Sequence, residues 1–439
     1  MDDSLLGGAH KIVIVGGGAA GLELASALGK KARKDASIEV TLVDASPTHI
    51  WKPLLHEVAA GTLDTTEELE YLSQARWRYF NFRLGTMERL DREKKEIVLS
   101  PTLNDEGEEL IPRRSFSYDT LVIAVGSVSN SFAIQGVEKH CQFLDNARQA
   151  FRFQKHLVQT FMRIYSRRPS RGKGMSIAII GAGATGVELA AELHNVTQQL
   201  AIYGLDEHQT GEAVKISLIE AADRLLPALP DRLSGATARQ LGELGIELIL
   251  GRRVVEVTET GVMIEGGEKV TADIKVWAAG IKGPDWLCNL DGLEINSAQQ
   301  LMVAETLQTT RDENIFAIGD CAACAWVGHE GNVPPRAQAA HQQATLLSKS
   351  LVGRVKGEAL MPYRYKDYGS LVSLGKYSTV GNLMGNLMGS VSVGGFIARV
   401  FYLSLYKMHQ IKVHGYFKTA MLTLATRLRK TATSHIKLH

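Results

Sequence analysis

Short unbroken apolar blocks, each stopping at a glycine or an acid, set the rhythm of this chain. Ile12 to Val15 runs straight into Gly16, Gly18 and Gly21 and then the helix-forming run Leu22 to Leu28. A strand covered on both faces shows no alternation, so the block predicts a short buried strand, a tight turn and a helix. Ile38 to Val43 repeats the strand and ends at Asp44. The same order returns further on: Ser176 to Ile180 leads into Gly181, Gly183 and Gly186, the helical run Val187 to Leu193 follows, and Lys215 to Ile219 ends on Glu220. Tyr118 to Ser127 and Ala272 to Ile281 close the two copies alike, each with an apolar strand and a turn of small residues. The duplication therefore extends past the glycines. One more block, Glu313 to Ile318, stops at Gly319 and Asp320. Helical periodicity takes over elsewhere: residues 145 to 166 predict a helix packed through Phe151, Leu157, Phe161 and Ile164. Near the end, Ile397, Val400, Phe401, Leu405 and Met408, then Phe417, Met421, Leu424 and Leu428, recur at helical spacing over 396 to 412 and 416 to 430.

Each glycine of the G-x-G-x-x-G unit serves a separate purpose. The first permits the turn, the second lets backbone reach a pyrophosphate, and the third lets helix pack close on strand. Phosphates then sit at the positive end of the helix. The unit alone is a weak signal, but strand, glycines, helix, strand and terminal acid in that order point to dinucleotide binding. Asp44 is placed to accept from a ribose diol. Two such units predict two dinucleotides, one fixed and one exchanging. A carboxylate at Glu220 accepts from the 2′-hydroxyl of NADH and repels the 2′-phosphate of NADPH. Arg224, four residues on, softens that repulsion. An acid at Asp320 can bond the ribityl chain or pyrophosphate of a flavin.

The chain's 439 residues suffice for two to three domains, and 45% hydrophobic residues with 42 glycines fit an α/β protein whose loops approach ligands. Net charge is +2, but residues 368 to 439 hold nine basic side chains and no acid, leaving −7 on the rest. A basic tail on an acidic body calls for an anionic partner surface. With no aromatic platform or known motif beside it, nucleic acid is not that partner. The tail's basic amphipathic helices suit the headgroup plane of a membrane or a dimer partner. The uncharged run Tyr377 to Ala398 is long enough to span, yet five glycines make it poorly apolar, and a strand and turn suits it better. The opening Met1-Asp2-Asp3-Ser4 predicts no secretion signal. Four cysteines, Cys141, Cys288, Cys321 and Cys324, suggest a reducing compartment. The one C-x-x-C, Cys321 and Cys324, admits a redox or half-zinc reading, but it lacks a second ligand pair and sits at the Gly319–Asp320 turn, so a structural role is preferred and no metal is expected.

The succession GGGAAG, Asp44, YDTLVIAVGS, GAGATG, Glu220, WAAGI and IFAIGD resembles the flavoprotein disulfide-reductase-like superfamily, over roughly residues 10 to 325. Within it PLLHEVAAG (53 to 61), GATGVELAAEL (183 to 193), AQAAHQQA (337 to 344) and KDYGSLVSLGKYSTVG (366 to 381) look like the type II NADH dehydrogenases, single-chain NADH:quinone oxidoreductases of the membrane surface. The helix after the first strand lacks the cysteine pair of the disulfide reductases, which favours direct transfer from flavin to acceptor.

That resemblance implies an α/β fold with two Rossmann-like domains and a C-terminal amphipathic membrane-anchoring segment. Residues 9 to 127 and 296 to 375 would form the FAD domain and the quinone-site helix, 128 to 295 the inserted NADH domain, and 376 to 439 the membrane and dimer segment. FAD, held tightly without a covalent bond, would lie on Gly16, Gly18, Ala19, Ala20 and Gly21, with Asp44 and Ala45 at the ribose. Lys52, Pro53, Ala124, Gly126, Gly319, Asp320, Ala337 and Gln338 would complete its walls. NADH would lie on Gly181, Gly183, Ala184, Thr185 and Gly186, beside Glu188, Glu220, Ala279 and Gly280. Hydride would pass to flavin N5 and two electrons onward to a quinone of the ubiquinone or menaquinone class, without proton pumping. Gln338 and Gln342, on one helical face, would meet the quinone carbonyl, unless they are merely solvated. Glu188 would handle protons, or else simply complement the positive helix end. His341 reads as ordinary surface or packing. A homodimer on the cytoplasmic face of the cell membrane, peripheral or monotopic, completes the expectation. The competing readings are a sulfide:quinone oxidoreductase, which needs cysteines flanking the flavin, and a redox-sensing NADH-binding flavoprotein.

Overall fold

The computed structural model describes residues 8–63, 68–104, 106–166, 174–202, 214–373, 379–383, 391–394 and 406–432. The first apolar block forms β1 (His10–Val15), followed by α1 (Ala19–Ala32) and β2 (Ile38–Asp44). Strands β1 and β2 pair in parallel from His10↔Ile38 to Val15↔Val43, and Ile12 to Val15 are buried, which is why the block carries no polar side chain. α2 (Leu55–Ala60), α3 (Tyr71–Arg78) and β3 (Asn81–Leu84) come next, and β4 (Thr120–Ile123) returns to the other side of β1. Helix α4 (Ala147–Ser166) then carries the chain to a second unit: β5 (Met175–Ile180), α5 (Ala184–Ile202), β6 (Val214–Ile219), β7 (Glu247–Ile249) and β8 (Ile274–Trp277).

The second sheet runs β7-β6-β5-β8. β5 lies between β6 and β8 as β1 lies between β2 and β4, so the duplication is one of topology as well as of motif. Past the insertion come β9 (Leu301–Val303), β10 (Gln308–Thr309), β11 (Asp312–Ala317) and β12 (Ala322–Cys324). β11 pairs in parallel with β4, and the first sheet becomes eight-stranded in the order β12-β9-β10-β11-β4-β1-β2-β3. Both ends of the chain thus build one sheet around the inserted one. Helix α7 (Ala337–Val355) covers that sheet beside α1. Asp231–Glu243 forms α6 and Tyr416–Ala432 forms α8.

The run from Tyr377 departs from a membrane-crossing helix. Thr379–Leu383 pairs antiparallel with Gly369–Ser373 and with Val391–Gly394, as its glycines and β-branched residues allow. The basic linker at 167–173, residues 396–405 of the expected first tail helix and residues 384–390 around the glycine repeat lie outside the described residues. Helix is present at 406–414 and again in α8. Among the described residues no helix is long and apolar enough to cross a membrane.

Candidate functional site

The two glycine turns are near copies. Gly16 takes φ +101° and Gly181 φ +102°, left-handed conformations that suit glycine. A Cβ on Gly16 would lie 2.5 Å from the Ala124 carbonyl oxygen, and one on Gly181 would lie 2.7 Å from that of Ala278. On Gly21 and Gly186 it would collide with the carbonyls of Gly16 and Gly181. The protein's own backbone explains four of the six glycines. It does not explain the middle ones: a Cβ on Gly18 would meet nothing nearer than Ala124 O at 4.0 Å, and on Gly183 nothing within 4 Å. Space kept open by the second glycine is space for a ligand, and no side chain caps α1, whose first N–H groups face it.

Each unit's acid closes on its own turn. The Gly17 N–H donates to Asp44 Oδ2 at 2.6 Å and the Ser46 N–H to Oδ1 at 2.8 Å. Burial pushes the Asp44 carboxyl above its ordinary range, against the pull of these two donors. In the second unit the N–H groups of Ala182 and Ala222 donate to Glu220 Oε2 and Oε1 at 2.7 and 2.9 Å. Each carboxylate oxygen keeps a further lone pair for a ribose hydroxyl. Arg224 is ion-paired with Asp231 and donates to the Pro227 carbonyl, so its charge is engaged beside the site.

Three connecting segments are tied together by side chains. Lys52 Nζ donates to the Ser127 carbonyl at 2.6 Å, and Ser127 Oγ donates to Asp320 Oδ2 at 2.9 Å. Gly319 turns at φ +76° with its N–H held by Gln343 Oε1 at 2.7 Å, and a Cβ there would touch the methyls of Ala20 and Ala340 at 3.7 and 3.9 Å. Gly18, Ala45, Lys52, Ala184 and Thr185 are exposed at the carboxyl ends of their sheets, where open α/β sheets bind ligands. Ala19 opens α1, Pro53 lies in the short turn Lys52–Leu54, Ala337 and Gln338 open α7, and Ala124 and Gly126 follow β4. Ala279 and Gly280 follow β8, where the Gly280 carbonyl accepts from the Asn130 N–H at 3.2 Å, tying the connector to the second unit.

The matching family model is the pyridine nucleotide-disulphide oxidoreductases, over residues 10–344. A type II NADH:quinone oxidoreductase of Haemophilus influenzae is 41% identical, covering 98% of this chain and 99% of its own. One of Staphylococcus aureus is 30% identical, over 85% and 90% of the two chains. The chain belongs to the type II NADH:quinone oxidoreductases. A solved structure, NDH2 from Plasmodium falciparum in complex with NADH, shares the fold at a TM-score of 0.78, with 21% identity over 92% of this chain and 96% of that one.

As a type II NADH:quinone oxidoreductase the chain uses FAD as its resident cofactor and NADH as substrate. The open second glycine, the half-buried ribose acid and the donor-rich helix end fit the first unit to FAD. This type II NADH:quinone oxidoreductase places Glu188 on α5 against α2, where the two units meet: Glu188 is buried and its Oε2 lies 3.4 Å from His56 Nδ1. Burial pushes His56 down to about 4, so a neutral imidazole faces that carboxyl near pH 7.

Both helix glutamines bond backbone of the segment that follows α7. Gln342 Nε2 donates to the Lys366 carbonyl at 2.8 Å while its Oε1 accepts from the Lys366 N–H at 3.0 Å. Gln338 donates to the Gly369 carbonyl at 3.0 Å and accepts from the Tyr368 N–H at 3.1 Å. Both amides fasten residues 366–369 to α7, because a long polar side chain on a helix beside an unpaired extended segment completes that segment's backbone bonds. Cys321 and Cys324 are buried with thiols pushed by burial to about 12 and about 11, protonated and poor as nucleophiles. His56, Ser127 and Gln343 lie inside the stretches PLLHEVAAG, YDTLVIAVGS and AQAAHQQA, but nothing local in the sequence gives any of them a separate role. His341, read as surface or packing, is bonded to the buried Glu23 at 2.6 Å.

Proposed function

We propose that the chain oxidises NADH at the second unit and reduces a membrane quinone from the first, with FAD resident on Gly16–Gly21. Bound flavin supplies the hydride acceptor for NADH and the two-electron donor for quinone. The observation that carries this reading is the pair of matching glycine turns, each open only at its second glycine and each closed by its own acid, in a chain 41% identical over nearly its whole length to a type II NADH:quinone oxidoreductase. The division into 9–127, 128–295, 296–375 and 376–439 belongs to the same proposal. It is supported by the pairing of β11 with β4 across the insertion.

The chain's own residues orient and select. Asp44 and Glu220 hold their turns and offer acceptors to a ribose, and Glu220's charge favours NADH over NADPH. Lys52, Ser127 and Asp320 tie the three segments that face the flavin. Glu188, at the junction of the units, is placed to act on the nicotinamide side. Gln338 and Gln342 meet the quinone head group from α7 and hold residues 366–369 in place.

Membrane attachment, to the cytoplasmic leaflet, rests on α8. Phe417, Met421, Leu424 and Leu428 form one exposed stripe, with Lys418 beside it and Trp77 of α3 under its charge at 5.6 Å. An apolar stripe flanked by basic groups buries itself at an anionic headgroup layer. A homodimer is the assembly we assign. The absorption spectrum tests the whole: the purified chain is yellow, NADH bleaches it and a short-chain quinone restores the colour. Colourless protein, or flavin bleached by sulfide and not by NADH, overturns the reading.

A further inference from the structure

The buried carboxyl of Glu23, two residues past Gly21 on α1, bridges two imidazoles brought from far along the chain. Its Oε1 lies 2.8 Å from His409 Nδ1 and its Oε2 lies 2.6 Å from His341 Nδ1. On the far side of His409, its Nε2 lies 3.1 Å from His49 Nε2, and His49 Nδ1 lies 3.0 Å from the Gly17 carbonyl oxygen, which also accepts from the Tyr71 hydroxyl at 2.7 Å. Glu23, His49 and His409 are each at most 7% exposed.

Hydrogen accounting fixes the protons along this chain. A carbonyl only accepts, so His49 carries its hydrogen on Nδ1. Burial, reinforced by the nearby His409, drives His49 down to about 3, so the ring is neutral and its Nε2 is a lone pair. His409 Nε2 must therefore donate to it. Between Glu23 and His409 two forms remain, carboxylate with imidazolium or carboxylic acid with imidazole. Burial alone would push Glu23 up, but the hydrogen bonds from His341 and His409 outweigh it and hold the carboxyl below its ordinary range. Glu23 is thus a buried carboxylate that accepts from both imidazoles.

A buried carboxylate is a poor source of stability, and specifying geometry is the role it serves best. The helix at 406–414 is held on other sides as well. Trp51 stacks on His409 and on Tyr406, and the Gln74 amide and Arg78 guanidinium donate to the Val413 carbonyl at 2.5 and 2.6 Å. Every one of these partners lies beside the flavin unit: α1, the loop that carries Lys52, and α3.

We propose that Glu23 is a positioning residue which, through His409 and His49, fixes the Gly17 carbonyl and so couples the seating of the C-terminal segment to flavin binding. The coupling rests on the reading of Gly16–Gly21 as the FAD turn. It is reciprocal: what the segment gives to flavin affinity, flavin returns to the seating of the segment.

The test uses the full chain, stripped of flavin and retitrated with FAD. Glu23→Gln keeps the shape and removes the charge. It raises the FAD dissociation constant by about 5- to 150-fold, the ordinary range of coupling between two sites, while kcat at saturating FAD is retained. The ¹⁵N spectrum of His409 differs between the unsubstituted chain and Glu23→Gln, because its Nδ1 loses the carboxylate partner. FAD slows tryptic cleavage after Lys412 in the unsubstituted chain and leaves it unchanged in the variant. His409→Gln reproduces the loss of FAD affinity, and the double variant loses no more than either single one, because both act through one contact. Unchanged FAD affinity in Glu23→Gln, or additive losses in the double variant, overturns the coupling. An unsubstituted chain that binds no FAD overturns the flavin reading instead, so the two failures are told apart.

Discussion

Replacing the second glycine and the third glycine of the first turn by alanine separates what the protein needs from what its ligand needs. Gly18 has φ −62° and ψ −168°, which alanine adopts without strain, and its Cβ would stand 4.0 Å from the nearest protein atom. Flavin-free Gly18→Ala therefore loses no stability, and the stiffer unfolded chain adds about 0.4–1 kcal/mol. The new methyl instead enters the space kept for the pyrophosphate. Crowding a filled site by one methyl costs about 1–3 kcal/mol, so the FAD dissociation constant rises by roughly 5- to 150-fold. Gly21→Ala behaves oppositely, because its Cβ collides with the Gly16 carbonyl and forces α1 off β1. Protein stability and flavin are then lost together. Thermal melting of flavin-free protein and FAD titration by fluorescence quenching read the two quantities separately. If Gly18→Ala binds FAD with the affinity of the unsubstituted chain, or destabilises the flavin-free protein as far as Gly21→Ala does, the assignment of that space to a ligand is wrong.

The second unit repeats the experiment: Gly183→Ala raises KM for NADH and leaves FAD content unchanged, measured by steady-state kinetics beside flavin absorbance. Glu220→Gln removes the charge opposed to a 2′-phosphate while keeping an acceptor, and kcat/KM for NADPH relative to NADH rises by about tenfold, worth about 1.4 kcal/mol. Phe417→Glu with Leu424→Glu on α8 puts charge into the exposed stripe, and flotation with anionic vesicles falls at low salt, while each basic group left near the surface still contributes about 1 kcal/mol. His56 takes a proton below pH 6.5 when unfolded but only near 4 when buried, so its contribution to stability is complete above pH 6.5 and is lost as pH falls toward 4. The loss reaches about 3 kcal/mol, and His56→Gln flattens the urea midpoint between pH 7.5 and 5.

The local units were legible because their chemistry is local. A strand, a glycine turn, a helix and an acid lie within 35 residues in the first copy (His10–Asp44) and 46 in the second (Met175–Glu220), and the structure extends the first helix back to Ala19 because Gly18 already supplies its extended cap. The β-branched, glycine-broken run from Tyr377 showed its strand character in composition alone. Contacts across the chain left no such trace. Glu23 reads as one more polar position on a helix, and nothing near it announces His341, 318 residues on, or His409, 386 residues on. Gln343, which holds the Gly319 turn, is indistinguishable in sequence from Gln342 beside it, since only the helix's rotation decides which amide turns inward.

The pairing of β4 with β11 sets an order of events during synthesis. Roughly 200 residues separate Ile123 from Ala317, and at about 5–20 residues per second they take on the order of 10–40 s to leave a ribosome. During that interval the second unit, whose four-stranded sheet falls between Met175 and Trp277, has everything its sheet needs to complete itself. The earlier strands meanwhile wait with an unzipped edge at β4, so the last-made third of the chain decides when the prosthetic group can be retained, and a nascent chain stalled before Asp312 is colourless.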